Sequence, residues 1–168
     1  MTCEGPSPVD DPHVTEDCAM KILIPVDGSA QALDAVRHAL RLRQEGLNAS
    51  FVLTTVQEPT YLYEMVLAPD ADVLERVTGA VGSRALAGAE ALFDAAGIAY
   101  EREIGSGEPV PALIEMAERH GCDAIIVGAR GPGMLRSALM GSVSQGILQA
   151  SRLPVTVVKH PDAGSAVA

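Results

Sequence analysis

The sequence contains no tryptophan, and two phenylalanines and three tyrosines are its only aromatic residues. Apolar residues nevertheless make up 48% of the chain, so its interior must be filled by aliphatic side chains and methionine. A length of 168 residues is typical of one domain with a core of its own. No internal repeat indicates a second unit, and we therefore expect a single domain with an aliphatic core.

Cysteine and basic residues are also scarce. The three cysteines, Cys3, Cys18 and Cys122, include no Cys-x-x-Cys pair, which is typical of reduced thiols and gives no metal site. Lysine and arginine together number 12 against 22 acidic residues, and the net charge of −10 would repel a nucleic-acid backbone. The composition therefore predicts neither a zinc site nor a nucleic-acid partner.

Long apolar runs are missing too. None approaches the roughly 18 residues that a membrane span requires, and the first residues lack the basic and apolar regions of a secretory signal. These absences favour a cytoplasmic protein without a membrane partner. The acidic, proline-containing residues 1–19 and the last residues, 161–168, have little apolar patterning, and we expect both to be disordered tails.

Strand-like and helix-like segments alternate along the rest of the chain. The patterns predict strands over 21–26, 49–56, 99–104, 123–128 and 154–159, and helices from Ser29 to Gly46 and over 73–96, 110–120 and 142–151. This alternation predicts an α/β fold, a single doubly wound five-stranded parallel sheet of Rossmann-like type with helices on both faces. Residues 57–72 are irregular but apolar, which indicates either a lid over the end of the sheet or an interface with a partner.

The most informative pattern follows the fourth predicted strand, where glycines leave the strand and a glycine-serine pair opens the next helix. Glycine lets a phosphate approach the main chain, and a helix start supplies free N–H groups and partial positive charge. The pattern therefore predicts a phosphate site, although any one of these glycines could serve only the turn. The residues of this predicted cradle are Gly128, Gly131, Gly141, Ser142, Val143 and Ser144.

Two charged residues could complete such a site. Arg130, between glycines, could either meet a phosphate or be a solvated surface charge. Asp27 ends the first predicted strand, where a carboxylate can accept from ribose hydroxyls, help to hold a metal, or cap the following helix. We favour the ligand role because Ser29 is available as the cap. If the first and fourth strands are neighbours, Asp27 and Gly128 face one crevice.

No nucleophile–base pair is apparent in the sequence. It has no Gly-x-Ser-x-Gly elbow and no Walker A lysine, and its four histidines are scattered. Fast phosphoryl transfer relies on cations placed around the γ-phosphate, so we expect a nucleotide-binding protein. A slow ATPase or nucleotide-transferring enzyme is the alternative, and a partner-docking protein with a vestigial nucleotide site is a third hypothesis.

Three stretches together resemble the universal stress protein family. They are the opening Lys21–Ser29, KILIPVDGS, the motif Gly128-x2-Gly131-x9-Gly141-Ser142, and the closing Leu153–Val158, LPVTVV. The resemblance spans about residues 20–160, and its glycine motif is that of the ATP-binding branch. It implies a fold similar to the adenine nucleotide alpha hydrolases and a stress-response protein in which ATP acts as a regulator or switch.

The resemblance also implies a ligand, an assembly and a set of contacts. The ligand would be ATP, or AMP or ADP in its place, with Mg²⁺, and no residue would be catalytic. Asp27 would meet the adenosine, and the backbone at Val56 would contact the adenine. A homodimer would form through the last strand, 154–158. The residues of the implied nucleotide site are Pro25, Val26, Asp27, Val56, Gly128, Arg130, Gly131, Gly141, Ser142, Val143 and Ser144.

Overall fold

The computed structural model describes residues 19–58, 71–129 and 140–161. The predicted tails lie outside these residues, apart from positions 19 and 161. So do residues 59–70 of the predicted lid or interface, and so do Arg130 and Gly131 of the predicted site.

Five strands and four helices alternate along the described chain. In order they are β1 (Met20–Pro25), α1 (Ala30–Gln44), β2 (Ala49–Gln57), α2 (Ala71–Ala96), β3 (Glu101–Ser106), α3 (Pro109–Arg119), β4 (Ala124–Gly128), α4 (Ser142–Ala150) and β5 (Val155–Val158). No helix within these described residues is both long enough and apolar enough to cross a membrane.

The strands form one sheet in the order β3-β2-β1-β4-β5, and every neighbouring pair is parallel. The chain winds from β1 outward to β3 and then crosses to β4 on the other side of β1. The predicted doubly wound parallel sheet is therefore confirmed, with β3 and β5 at its two edges.

Helices cover both faces of the sheet, and each face has its own core. Alternate residues of β1 enter opposite cores, as the period of two in a strand requires. Ile22 and Ile24 pack with α1 and α2, whereas Leu23 packs with α3 and α4. The expectation of a purely aliphatic interior is wrong at one place, because Phe51 and Phe93 are both fully buried with ring centroids 5.3 Å apart.

The third strand begins two residues later than its pattern predicts, at Glu101 rather than at Ala99. Pairing with β2 decides this register, since Val56 lies opposite Gly105 and Gln57 opposite Ser106. Tyr100 lies before the strand, with its ring centroid 5.4 Å from that of Phe93. The apolar character of this stretch thus serves the core between α2 and the sheet.

Candidate functional site

A pocket lies at the carboxyl ends of β1, β2 and β4, where the strand order reverses and ligands of open α/β sheets bind. Its volume is about 260 Å³, near the lower end of small-molecule sites, which begins at about 300 Å³. We call it the crevice pocket. Nine of the eleven predicted site residues line it: Pro25, Val26, Asp27, Val56, Gly128, Gly141, Ser142, Val143 and Ser144.

The start of α4 lies at this pocket. Gly141 is its N-cap residue in an extended conformation, and no side chain caps the helix. The amide of Gln145 donates to the carbonyl of Gly141 and begins the helical hydrogen bonds. The three amides before it, from Ser142 to Ser144, have no helical carbonyl within reach, as at every helix start. The pocket therefore has three backbone donors and the positive end of a helix dipole beside it.

A carbonyl at the end of β4 fixes this helix start. The oxygen of Ala129 accepts from the amide of Gly141 at 2.6 Å and from the hydroxyl of Ser144 at 2.9 Å. Ser144 is 3% exposed, and its hydroxyl also lies 3.0 Å from the carbonyl of Gly141. The single hydroxyl proton of Ser144 is thus used inside the protein. Ser144 positions α4, whereas the exposed Ser142 has a hydroxyl free to face a ligand.

The loop after β1 is organised by its own polar groups. One carboxylate oxygen of Asp27 accepts from the amide of Ser29 at 2.9 Å, and Gly28 between them has a φ of +84°. The hydroxyl of Ser29 accepts from the amide of Ala32 at 3.1 Å and caps α1. Ser29 therefore takes the capping role. The exposed Asp27 lines the pocket, and its second carboxylate oxygen is not part of this hydrogen bond.

Gly128 is required by the packing of α1. A Cβ atom there would lie 2.7 Å from the carbonyl oxygen of Gln31 and 3.3 Å from the Cα of Ala32. Both are backbone atoms, which cannot move aside as a side-chain tip can. The sequence pattern assigned this glycine to the exit from the strand, and the structure adds a close contact between β4 and the first turn of α1.

Six further residues line the pocket and were not predicted. The tandem threonines that follow the apolar run of β2 were the signal available for two of them. The first two turns of α1 and α3 and the buried Val127 of β4 supply the others, which no local pattern distinguishes from core positions. These residues are Ala32, Thr54, Thr55, Pro109, Leu113 and Val127.

Asp27 is the only ionisable side chain among the described residues that line the pocket. Within the same residues, no cluster of three or more histidine, cysteine or acidic side chains could hold a metal ion. His120 instead lies between the carboxylates of Glu101 and Glu103, and His160 pairs with Asp34. The arrangement is chemically suited to binding an anion and an apolar ring, with little provision for proton transfer.

Burial accounts for the one described cysteine. Cys122 is 7% exposed and packs in the core beneath α3 and α4. Loss of solvation raises the pKa of its thiol to about 11, so the thiol is protonated at neutral pH. Cys122 is a packing residue, as its position before a buried strand indicates.

Comparison with known sequences places the chain in a family. The sequence model of the Universal stress protein family matches residues 19–159. The universal stress protein YxiE of Bacillus subtilis is 30% identical over 145 residues, which cover 83% of this chain and 98% of that protein.

Solved structures agree with this assignment. MJ0577 of Methanocaldococcus jannaschii has a TM-score of 0.70 and 25% identity, over 86% of this chain and 98% of that one. A universal stress protein in complex with cAMP has a TM-score of 0.57 and 26% identity, over 83% and 95%. A family member from Arabidopsis thaliana with AMP bound shares the fold, with a TM-score of 0.62 and 18% identity over 85% and 93%.

Proposed function

The chain belongs to the universal stress protein family, and on that premise we propose that it binds an adenine nucleotide in the crevice pocket. ATP is the proposed ligand, with ADP or AMP as alternatives. One observation carries the proposal: nine residues predicted from the sequence line a single pocket at the carboxyl ends of the strands. The cAMP complex of a protein 26% identical to this one supports the choice of an adenine nucleotide.

The phosphates would lie at the start of α4. The amides of Ser142 and Val143 belong to the amino-terminal turn of α4, and the amino-terminal end of a helix attracts anions. The Ser142 hydroxyl adds a further donor. Arg130 and Gly131 belong to this proposal through the glycine motif. Asp27 would accept from the ribose hydroxyls with its second carboxylate oxygen. The adenine would then lie against the wall at Val56, whose backbone is at the end of β2.

Mg²⁺ fits this site as an ion carried by the nucleotide. The ion usually keeps several waters and binds through one or two carboxylates together with substrate phosphates. Asp27 is the one carboxylate among the described lining residues, so it is the residue that would contact the ion or its waters. The ion would neutralise phosphate charge next to a chain whose net charge is −10.

Nucleotide occupancy would act as a switch in a stress response. A ligand that binds only the folded state stabilises it, by about 2.7 kcal/mol at a hundredfold excess over Kd. We further propose that the protein is cytoplasmic. We also propose that it forms a homodimer joined through residues 154–158, because β5 forms an edge of the sheet.

A slow ATPase or nucleotide transferase is the competing function. It would need a group that activates water or a nucleophile, and among the described lining residues the carboxylate of Asp27 is the only candidate. We place that carboxylate at the ribose hydroxyls and not at the phosphates. Binding without turnover is therefore the function that we propose. Single-turnover hydrolysis of labelled ATP separates the two, because a binder hydrolyses ATP no faster than buffer does.

Mass spectrometry of ligand carried through purification tests the proposed function, followed by calorimetric titration with ATP, ADP, AMP, cAMP and GTP. We expect an adenine nucleotide in the purified protein and tighter binding of ATP than of GTP. Failure of every adenine nucleotide to bind at millimolar concentration would refute the proposal.

A further inference from the structure

Thr54 carries an unpaired polar atom in the interior. Thr54, Thr55 and Ser144 are the buried polar side chains among the described residues. The hydroxyl of Thr55 accepts from the side-chain amide of Gln57 at 3.3 Å, and that of Ser144 donates to a backbone carbonyl. Oγ1 of Thr54 has no hydrogen-bond partner, and the residue is 0% exposed. A buried hydroxyl without a partner is unfavourable, so this atom requires an explanation.

The side chain of Thr54 lies on the pocket side of the sheet. Side chains alternate along β2, and Val52 and Val56, two residues to either side, both pack on the face that α3 and α4 cover. Thr54 therefore points to that face, where Val56 and Leu113 also line the crevice pocket. Its backbone is already engaged, since its carbonyl accepts from the amide of Val26 at 2.7 Å. The hydroxyl alone is left without a partner.

We infer that the Thr54 hydroxyl hydrogen-bonds the adenine base of the bound nucleotide and helps to select it. This inference rests on the proposed function. The helix start at Gly141 and the carboxylate of Asp27 define a polar end for phosphates and ribose. The rest of the wall is apolar apart from two threonines. The hydroxyl of Thr55 is paired with Gln57, and that of Thr54 is the unpaired one. A purine ring has apolar faces and a polar edge, which matches a largely apolar wall with one unpaired hydroxyl.

A hydroxyl can serve this base in either direction, because it donates one proton and accepts through two lone pairs. It can donate to a ring nitrogen or accept from the exocyclic amine. Such a contact discriminates strongly, since a ligand that lacks the matching group leaves the buried hydroxyl unpaired. Thr54 would act on affinity and selectivity, without contact to the phosphates.

The test compares Thr54→Val with Thr54→Ser in the full-length protein. Valine has nearly the same shape as threonine and lacks the hydroxyl, whereas serine keeps it. We expect Thr54→Val to weaken ATP binding about tenfold, which corresponds to about 1.4 kcal/mol, and Thr54→Ser to remain within about threefold of the parent. Without nucleotide, Thr54→Val should melt at the same temperature as the parent or about 2 °C higher, because an unpaired buried hydroxyl is lost.

These measurements separate the possible outcomes. If the parent binds ATP and Thr54→Val binds it equally well, the hydroxyl does not contact the base, and the proposed function stands. Equal weakening in both variants would assign the effect to the lost methyl group or to distortion and would overturn the inference. A lower melting temperature of nucleotide-free Thr54→Val would mean that the hydroxyl has a partner inside the protein, which also contradicts it. Absence of ATP binding by the parent would refute the proposed function itself.

Discussion

The hydroxyl of Ser144 donates to the carbonyl oxygen of Ala129 across 2.9 Å and thereby joins the first turn of α4 to the end of β4. The amide of Ala129 in turn donates to Val158 of β5. The helix start that we propose as the phosphate site is thus fixed to the two strands beside it. The position of α4 depends on a buried serine, and the proposed ligand contact is made by an exposed one, Ser142.

Ser144→Ala and Ser142→Ala should therefore affect different properties, the first the stability of the fold and the second the binding of ATP. Ser144→Ala leaves the buried carbonyl of Ala129 with one donor fewer and should reduce the free energy of unfolding by about 1–2 kcal/mol. Ser142→Ala should leave that free energy within about 0.5 kcal/mol of the parent and weaken ATP binding several-fold. Urea unfolding and calorimetry measure the two quantities. Equal stability of the two variants would contradict these roles.

Two glycines of α2 form a second matched pair. A Cβ atom at Gly82 would lie 2.4 Å from Cγ2 of Ile104 in β3, whereas one at Gly79 meets nothing within 4 Å. Gly79→Ala should stabilise the protein by up to about 1 kcal/mol through helix propensity. Gly82→Ala should destabilise it by about 1–2 kcal/mol through overpacking. Urea unfolding of both variants measures this difference, and equal stabilisation by both would show that α2 does not lie against β3 as described.

The sequence predicted the order of elements, and its glycine pattern predicted the helix start at the pocket, because both depend on local signals. Val56 came to the predicted site only through the family resemblance. Apolar runs mark strands buried on both faces, and glycine followed by Ser142 marks an uncapped helix start. The register of β3 could not be predicted, since Gly105 and Ser106 become strand residues only by pairing with Val56 and Gln57. Thr54 and Leu113 come together only when α3 crosses back over the sheet, and no local pattern records that.

An ion pair at the amino-terminal end of the sheet predicts a pH dependence. Nζ of Lys21 lies 2.6 Å from Oε1 of Glu101, and this hydrogen bond is the main cause that lowers the pKa of Glu101. A lowered carboxyl pKa stabilises the folded state above the unfolded value of about 4.3, and that contribution is lost as the pH falls through the folded value.

Lys21→Met removes the ion pair and tests this relation. Glu101 is about half exposed, so we expect the parent to exceed the variant by less than about 1 kcal/mol at pH 7. The difference should shrink toward zero near pH 3, when the carboxylate is protonated. Chemical denaturation at both pH values measures it. Glu101→Gln is the matched variant, because it should lack the same pH-dependent contribution to the free energy of unfolding. A difference that does not change with pH would contradict the prediction.

The proposed dimer makes use of alternate backbone groups of β5. The carbonyls of Pro154 and Val158 accept from Ile125 and Ala129, so the backbone groups of these residues face β4. Those of Val157 face the outer edge of the sheet. Val157→Pro removes an outward donor and leaves the bonds to β4, so it should weaken the dimer.

Light scattering after size exclusion measures the mass of the parent and of this variant. Thr156→Ala is the control, because it changes an exposed side chain and leaves the outward backbone groups in place. It should remain as dimeric as the parent. A parent that is monomeric at all concentrations would refute assembly through β5.

The melting temperature with and without Mg-ATP tests the central proposal most directly. At a hundredfold excess over Kd, binding should add about 2.7 kcal/mol and raise the melting temperature of the parent by about 5–10 °C. The control Gly79→Ala should keep this shift, whereas Gly131→Val combined with Gly141→Val should abolish it by filling the space that the phosphates need. No shift for the parent at millimolar Mg-ATP, or an equal shift in the double valine variant, would contradict the account.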